Sequence, residues 1–125
     1  MKDWSGQYTP LHPTAVGKLI LAYSPTETRN HILNAPLERY TDFTLTDPHQ
    51  LQTELATIQE TGISWSREEF EVGCINLGAP IFNQNQHLVA AVAIGMPKYR
   101  LENKQQEDRL AQLVSQAAQQ ITQHL

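Results

Sequence analysis

The sequence predicts an α+β domain, with helices first, antiparallel strands after them and a long helix to close. Three observations carry this prediction. Apolar residues recur at helical spacing up to Gly62, side chains alternate along CINLGAPI and LVAAVAIG, and an apolar seam runs unbroken from Leu110 to Leu125. Helices followed by a block of strands, without strand–helix–strand alternation, is the α+β order.

Each element follows from local chemistry. Val16, Leu19, Ile20 and Tyr23 fall at helical spacing, so a first helix opens at Thr14 and ends at Ser24. In SPTE, Ser24 offers an N-cap hydroxyl, Pro25 the first helical position and Glu27 the carboxylate of a capping box, which predicts a second helix up to Leu33. Asp47, Pro48 and Gln50 repeat the arrangement ahead of a third helix, whose stripe is Leu51, Leu55 and Ile58 and whose stop is Gly62. The residues ISWSREEF, 63–70, suit a strand, and Gly73 marks a turn or bulge before the next one. Along that next strand Ile75, Leu77, Ala79 and Ile81 share one face, while Cys74, Asn76, Gly78 and Pro80 share the other. NQNQH turns the chain back into LVAAVAIG, where Leu88, Ala90, Val92 and Ile94 oppose a notably small face of Val89, Ala91, Ala93 and Gly95. After MPKYRLEN the closing helix begins, and its seam covers either the sheet of its own domain or a partner.

With 125 residues, 40% hydrophobic and 18% charged, residues 1–125 read as one globular domain. No run approaches the roughly 18 apolar residues of a membrane span, and Met1 is followed by the polar KDWSGQYTP rather than a signal-peptide core. The lone cysteine excludes an internal disulfide and suits a reducing compartment, so a cytoplasmic protein is expected. A net charge of -4 without blocks of one sign is the wrong balance for gathering phosphates. This chain alone is not expected to bind nucleic acid or a membrane.

Asn76 poses the functional question. A buried amide without partners costs about 1–3 kcal/mol, so it must be paired, exposed or offered to a ligand. If the two strands pair as a hairpin, one combination places Asn76 and Gly78 near Ala91, Ala93 and Gly95. Such small side chains cannot fill space at the density of a protein interior. Two readings stay open: a helix packs closely on that face, or a pocket remains with Asn76 as its polar handle. A second wall is at hand at Thr14. The first turn of its helix presents unpaired backbone N–H groups, and Ala15, Val16 and Gly17 are small enough to let an anion approach. The plainer alternative is that Thr14 caps its own helix and nothing else binds.

Other chemistry is less well supported. Cys74 has no local base or electropositive setting to activate its thiol, and reads more simply as a small buried residue. His12, His31, His49, His87 and His124 are scattered, with no pair at the spacing that puts two ligands on one helix face. Glu68 and Glu69 alternate across a strand, so they cannot serve one site as a catalytic pair; a solvated strand end or a turn cap is expected of them.

The segments PLHPTAVGKLILA, EEFEVGCINLGAPIF and VAAVAIGMP, with Glu68 and Glu69 ahead of Gly73 and the AP dipeptide at 79 and 80, resemble the effector-binding domain of the IclR family of bacterial transcriptional regulators. The resemblance spans nearly the whole chain. It implies a GAF-like (profilin-like) antiparallel sheet flanked by helices, and a non-catalytic sensor that needs no cofactor and takes a small organic acid, such as a keto, sugar or aromatic acid. It further implies that a winged helix-turn-helix, which binds DNA as a homodimer or homotetramer, and the leading helix and strands of the effector domain lie ahead of Met1. Carried over position by position, the effector contacts are Ala15 and Val16, Ser66, Cys74 and Asn76, and Ala93 and Gly95. Asn76 stands where the family commonly has a cysteine, Ser66 where it has an aspartate, and Ala93 and Gly95 where it often has serines. Hydroxyls are exchanged for an amide and for space, so an aromatic or larger aliphatic acid is expected over a two-carbon acid. The rival functions are a small enzyme using Cys74 or a histidine, and a dimerisation module indifferent to ligand.

Overall fold

The structure, a computed structural model, describes residues 10–125. The polar segment behind the expectation of no signal peptide, residues 2–9, lies outside the described residues. Three helices, α1 (Ala15–Ala22), α2 (Thr26–Asn34) and α3 (Pro48–Thr61), precede three strands, β1 (Ser64–Arg67), β2 (Cys74–Phe82) and β3 (Leu88–Pro97). A short 3-10 turn, Lys98–Arg100, leads into α4 (Lys104–Gln123). The sheet is antiparallel throughout, in the order β1-β2-β3. The α+β, GAF-like reading holds.

Side-chain caps start three of the helices where the sequence placed them. Thr14 Oγ1 accepts from Gly17 N at 2.9 Å, Asp47 accepts from His49 N at 3.0 Å, and Asn103 Oδ1 accepts from Gln106 N at 2.9 Å. Gly62, at φ 70°, ends α3 with its N–H on the Ile58 carbonyl at 2.7 Å. The capping box at Ser24 does not form. Its hydroxyl donates instead to the Ile20 carbonyl at 2.5 Å, closing the end of α1, and α2 starts without a side-chain cap. A serine one turn beyond a helix has two backbones to choose from, and the preceding one wins here.

The strand expected over 63–70 is also shorter, because the backbone leaves β1 after Arg67 and Glu68 takes a left-handed φ of 58°. The Glu68 carboxylate accepts from Gly73 N at 3.1 Å, and Thr41 and Thr44 hydroxyls donate to the Glu68 and Glu69 carbonyls, each at 2.6 Å. Residues 68–73 are thereby a tied loop, not strand.

Two cores follow from the two sheet faces. Leu77, Ala79 and Ile81 pack with Val92, Ile94 and Trp65 under Val114 and Ala118 of α4. Arg67 adds an ion pair to Glu107 of α4 at 3.0 Å. On the other side, Leu19, Leu21 and Ala22 of α1 pack with Leu33 of α2 and Leu51, Leu55 and Ile58 of α3. The seam of α4 is wider than the sheet it meets. Val114 and Ala118 are buried, while Leu113, Ile121 and Leu125 are about half exposed.

Candidate functional site

Register brings the small faces together. Asn76 pairs with Gly95, Gly78 with Ala93 and Pro80 with Ala91, and Ser66 pairs with Asn76 across the other edge of β2. The helix α1 then covers half of this face and leaves the other half open, so each of the two sequence readings applies to part of it. A Cβ on Gly78 would sit 3.1 Å from Leu19 Cδ1, which makes Gly78 the seat of the helix. Ser64 and Ser66 lie under it too, both buried, donating to the Ala15 and Pro13 carbonyls at 2.8 and 2.5 Å.

The uncovered half is a cavity of about 560 Å³ between the start of α1 and strands β2 and β3. Ala15, Val16, Asn76, Ala93 and Gly95 line it, together with Pro10, Leu11, Thr14, Gly17, Ile20 and Phe70. Of the seven residues that the sequence singled out, five are brought to one cavity. Ser66 stands behind the wall, holding the Pro13 carbonyl, and Cys74 lies outside the lining, its Sγ donating to Glu71 Oε2 at 3.1 Å. Burial and the neighbouring carboxylate both raise the Cys74 thiol, the opposite of what a nucleophile needs.

Among the described residues the Asn76 side chain makes no hydrogen bond, and the N–H groups of Ala15 and Val16 have no acceptor. Polar capacity therefore faces the cavity from both walls, on otherwise apolar linings. The Thr14 hydroxyl satisfies Gly17 N and leaves the two preceding N–H groups to whatever enters, at the positive end of the helix dipole. Gly17 is what makes this entry tight. A Cβ there would lie 2.1 Å from the Leu11 carbonyl oxygen, so only glycine lets the Leu11–Thr14 turn close onto the helix.

Sequence reasoning missed two neighbours of the site. Phe70 lines the cavity and is held edge-on by Tyr40, with ring centroids 5.1 Å apart. Lys18, fully buried on the reverse of α1, reaches both Glu69 oxygens at 2.9 and 3.0 Å, the Trp65 carbonyl at 2.5 Å and the Glu54 carboxylate. Glu69 is buried with it, against the expectation of a solvated strand end. Burial pushes Glu69 above the ordinary carboxylate range, Lys18 opposes that rise, and the second carboxylate, Glu54, adds to it. No group of three or more His, Cys, Asp or Glu arranged to hold a metal occurs among the described residues.

Comparison with known proteins settles the family. The model of the C-terminal part of the bacterial transcriptional regulator IclR matches residues 1–123. The chain belongs to the IclR family. Among IclR-type relatives, the Pca operon regulatory protein of Acinetobacter baylyi is 32% identical over 117 residues, 93% of this chain and 42% of that protein. The chain spans about half the length of the curated relatives it matches, 42% and 46% for two of them. The inducer-binding domain of Acinetobacter PobR, solved as a double mutant in complex with 3-hydroxybenzoic acid, superposes with a TM-score of 0.83 at 26% identity, over 94% of this chain and 67% of that one. The C-terminal domain of the Escherichia coli regulator KdgR superposes with a TM-score of 0.79 at 26% identity, over 90% of this chain and 69% of that one. This chain is thus an IclR-type effector-binding domain in fold. Among the described residues no helix is long and apolar enough to cross a membrane.

Proposed function

We propose that this chain senses a small organic acid for a transcriptional regulator and catalyses nothing itself. The observation that carries this reading is the 560 Å³ cavity faced by an Asn76 amide on one wall and the Ala15 and Val16 N–H groups on the other, all without a hydrogen-bond partner among the described residues. A carboxylate seats on those N–H groups, where the helix dipole favours it, and Asn76 bonds a second polar atom of the ligand. Pro10, Leu11, Val16, Ile20 and Phe70 receive an apolar body, and no Lys, Arg or His among the described residues lines the cavity. An aromatic or branched aliphatic acid fits this lining better than a two-carbon acid. Ser66 supports the wall from behind, through the Pro13 carbonyl.

Binding draws α1 toward β2 and β3, and the same closure alters the placement of a DNA-binding domain outside this chain, in a cytoplasmic homodimer or homotetramer. A differential affinity giving a coupling of about 1–3 kcal/mol suffices. The leading helix and strands of the domain also lie outside this chain. In support, this chain covers only 67% and 69% of two neighbours that are isolated domains, and β3, ten residues long, is an edge strand among the described residues.

Native mass spectrometry of the protein as isolated tests the reading, backed by thermal unfolding with benzoate, 4-hydroxybenzoate and pyruvate. A retained acid, or a melting temperature that climbs with the concentration of one acid, is expected. Neither retention nor a shift with any organic acid at millimolar concentration would contradict it.

A further inference from the structure

Resting on that reading of the cavity, we infer that Gly95 is the positioning residue for the Asn76 amide, and through it a determinant of which acid the cavity accepts. The two residues are direct cross-strand partners. Directly opposed residues hold their Cβ atoms about 4.5–5.5 Å apart, with the side chains standing side by side. Here one side chain is missing and the other leans into its place. A Cβ built on Gly95 would lie 2.3 Å from Asn76 Oδ1 and 3.5 Å from Asn76 Cγ, so the amide lies folded over β3 in the space that a side chain at position 95 would take.

Nothing else accounts for this glycine. Its φ is not left-handed, unlike those of Gly62 and Gly73, so backbone strain does not demand it. Its next nearest neighbour would be the Ile75 carbonyl oxygen at 4.0 Å, so a methyl group displaces only the movable end of one side chain. Gly17 is the contrast, because there the obstacle is backbone. With no hydrogen bond to hold it among the described residues, the amide is oriented by available space alone. The seat on β3 keeps it low, leaving the depth of the cavity free for a ring. A side chain at position 95 lifts the amide into that depth, which shortens the cavity and moves the hydrogen-bonding atoms away from an acid seated at Ala15 and Val16.

Two measurements test this on the 125-residue protein. In the ligand-free state, a nuclear Overhauser effect between the Asn76 side-chain amide protons and the Gly95 Hα is expected, and Gly95→Ala should shift the Asn76 amide resonances while the fold is kept. For binding, calorimetry uses whichever of benzoate, 4-hydroxybenzoate and pyruvate binds the unaltered protein most tightly. Gly95→Ala should weaken it on the order of tenfold, roughly one hydrogen bond, but by no more than about twofold in an Asn76→Ala background. Equal losses in both backgrounds would mean that Gly95 merely lines the cavity, and the inference falls. A missing Overhauser effect overturns it as well, and leaves the cavity's function standing. If none of the acids binds and native mass spectrometry finds no retained acid, the cavity reading fails and takes this inference with it; if an acid is retained, that acid replaces the three in the calorimetry.

Discussion

Asn76 is the residue on which binding and stability should part company. Because its amide has no partner among the described residues, Asn76→Leu removes no internal hydrogen bond and adds apolar surface to an apolar cavity. The melting temperature is expected to stay level or rise while affinity for an acid drops about tenfold or more, as thermal unfolding and calorimetry would record. A marked fall in melting temperature without ligand would show the amide to be structural. Gly17 behaves in the reverse way. Gly17→Ala forces a methyl against the Leu11 carbonyl and should cost about 1–3 kcal/mol or more in urea unfolding. Asn76 was legible because a polar residue interrupts a run that otherwise alternates for burial. Lys18 was not, although the signal was there: Ala15, Lys18 and Ala22 lie at i, i+3 and i+7, one inward stripe, so the lysine had to be buried and paired.

That lysine is where α1 is fastened to α3, β1 and the 68–73 loop, which makes it the element-level weak point. Lys18→Met leaves the Glu69 carboxylate buried without its cation and should cost about 3–5 kcal/mol, with Lys18→Met/Glu69→Gln well short of the sum of the single changes. Glu69 also gives stability a pH dependence. Its folded-state pKa is raised, so the native state holds the proton longer than the unfolded chain does. Stability therefore declines as pH rises from the ordinary carboxylate range through the raised value, and is fully present below it. The stability of the unaltered protein relative to Glu69→Gln should fall as pH rises across that window, as chemical unfolding at a series of pH values would measure. The helix starts at Thr14 and Asp47 were legible because one side chain decides each. Ser24 and the 68–73 loop were not, because tertiary partners decide them: the hydroxyl turns back to Ile20, and Thr41 and Thr44 pull two carbonyls out of the strand.

For the whole molecule, the order of elements and the two faces of each strand were readable from periodicity, and the register then brought five of the seven singled-out residues to one cavity. What periodicity could not reveal was how far α1 reaches across the small face, since that depends on Leu19 settling on Gly78 and stopping short of Gly95. The edge of β3, unpaired among the described residues, makes a further prediction. Its outward N–H groups should exchange with solvent rapidly in this chain and become protected in a longer chain of the length of its relatives, as hydrogen exchange followed by mass spectrometry would show. Through all of this runs one requirement, that an acid enter between the first turn of α1 and the hairpin of β2 and β3. Mapping backbone and side-chain amide shifts during titration with the best-binding acid tests it most directly. Saturable shifts centred on Ala15, Val16, Asn76 and Gly95 are predicted. Shifts centred elsewhere, with these four unmoved at saturation, would contradict the account.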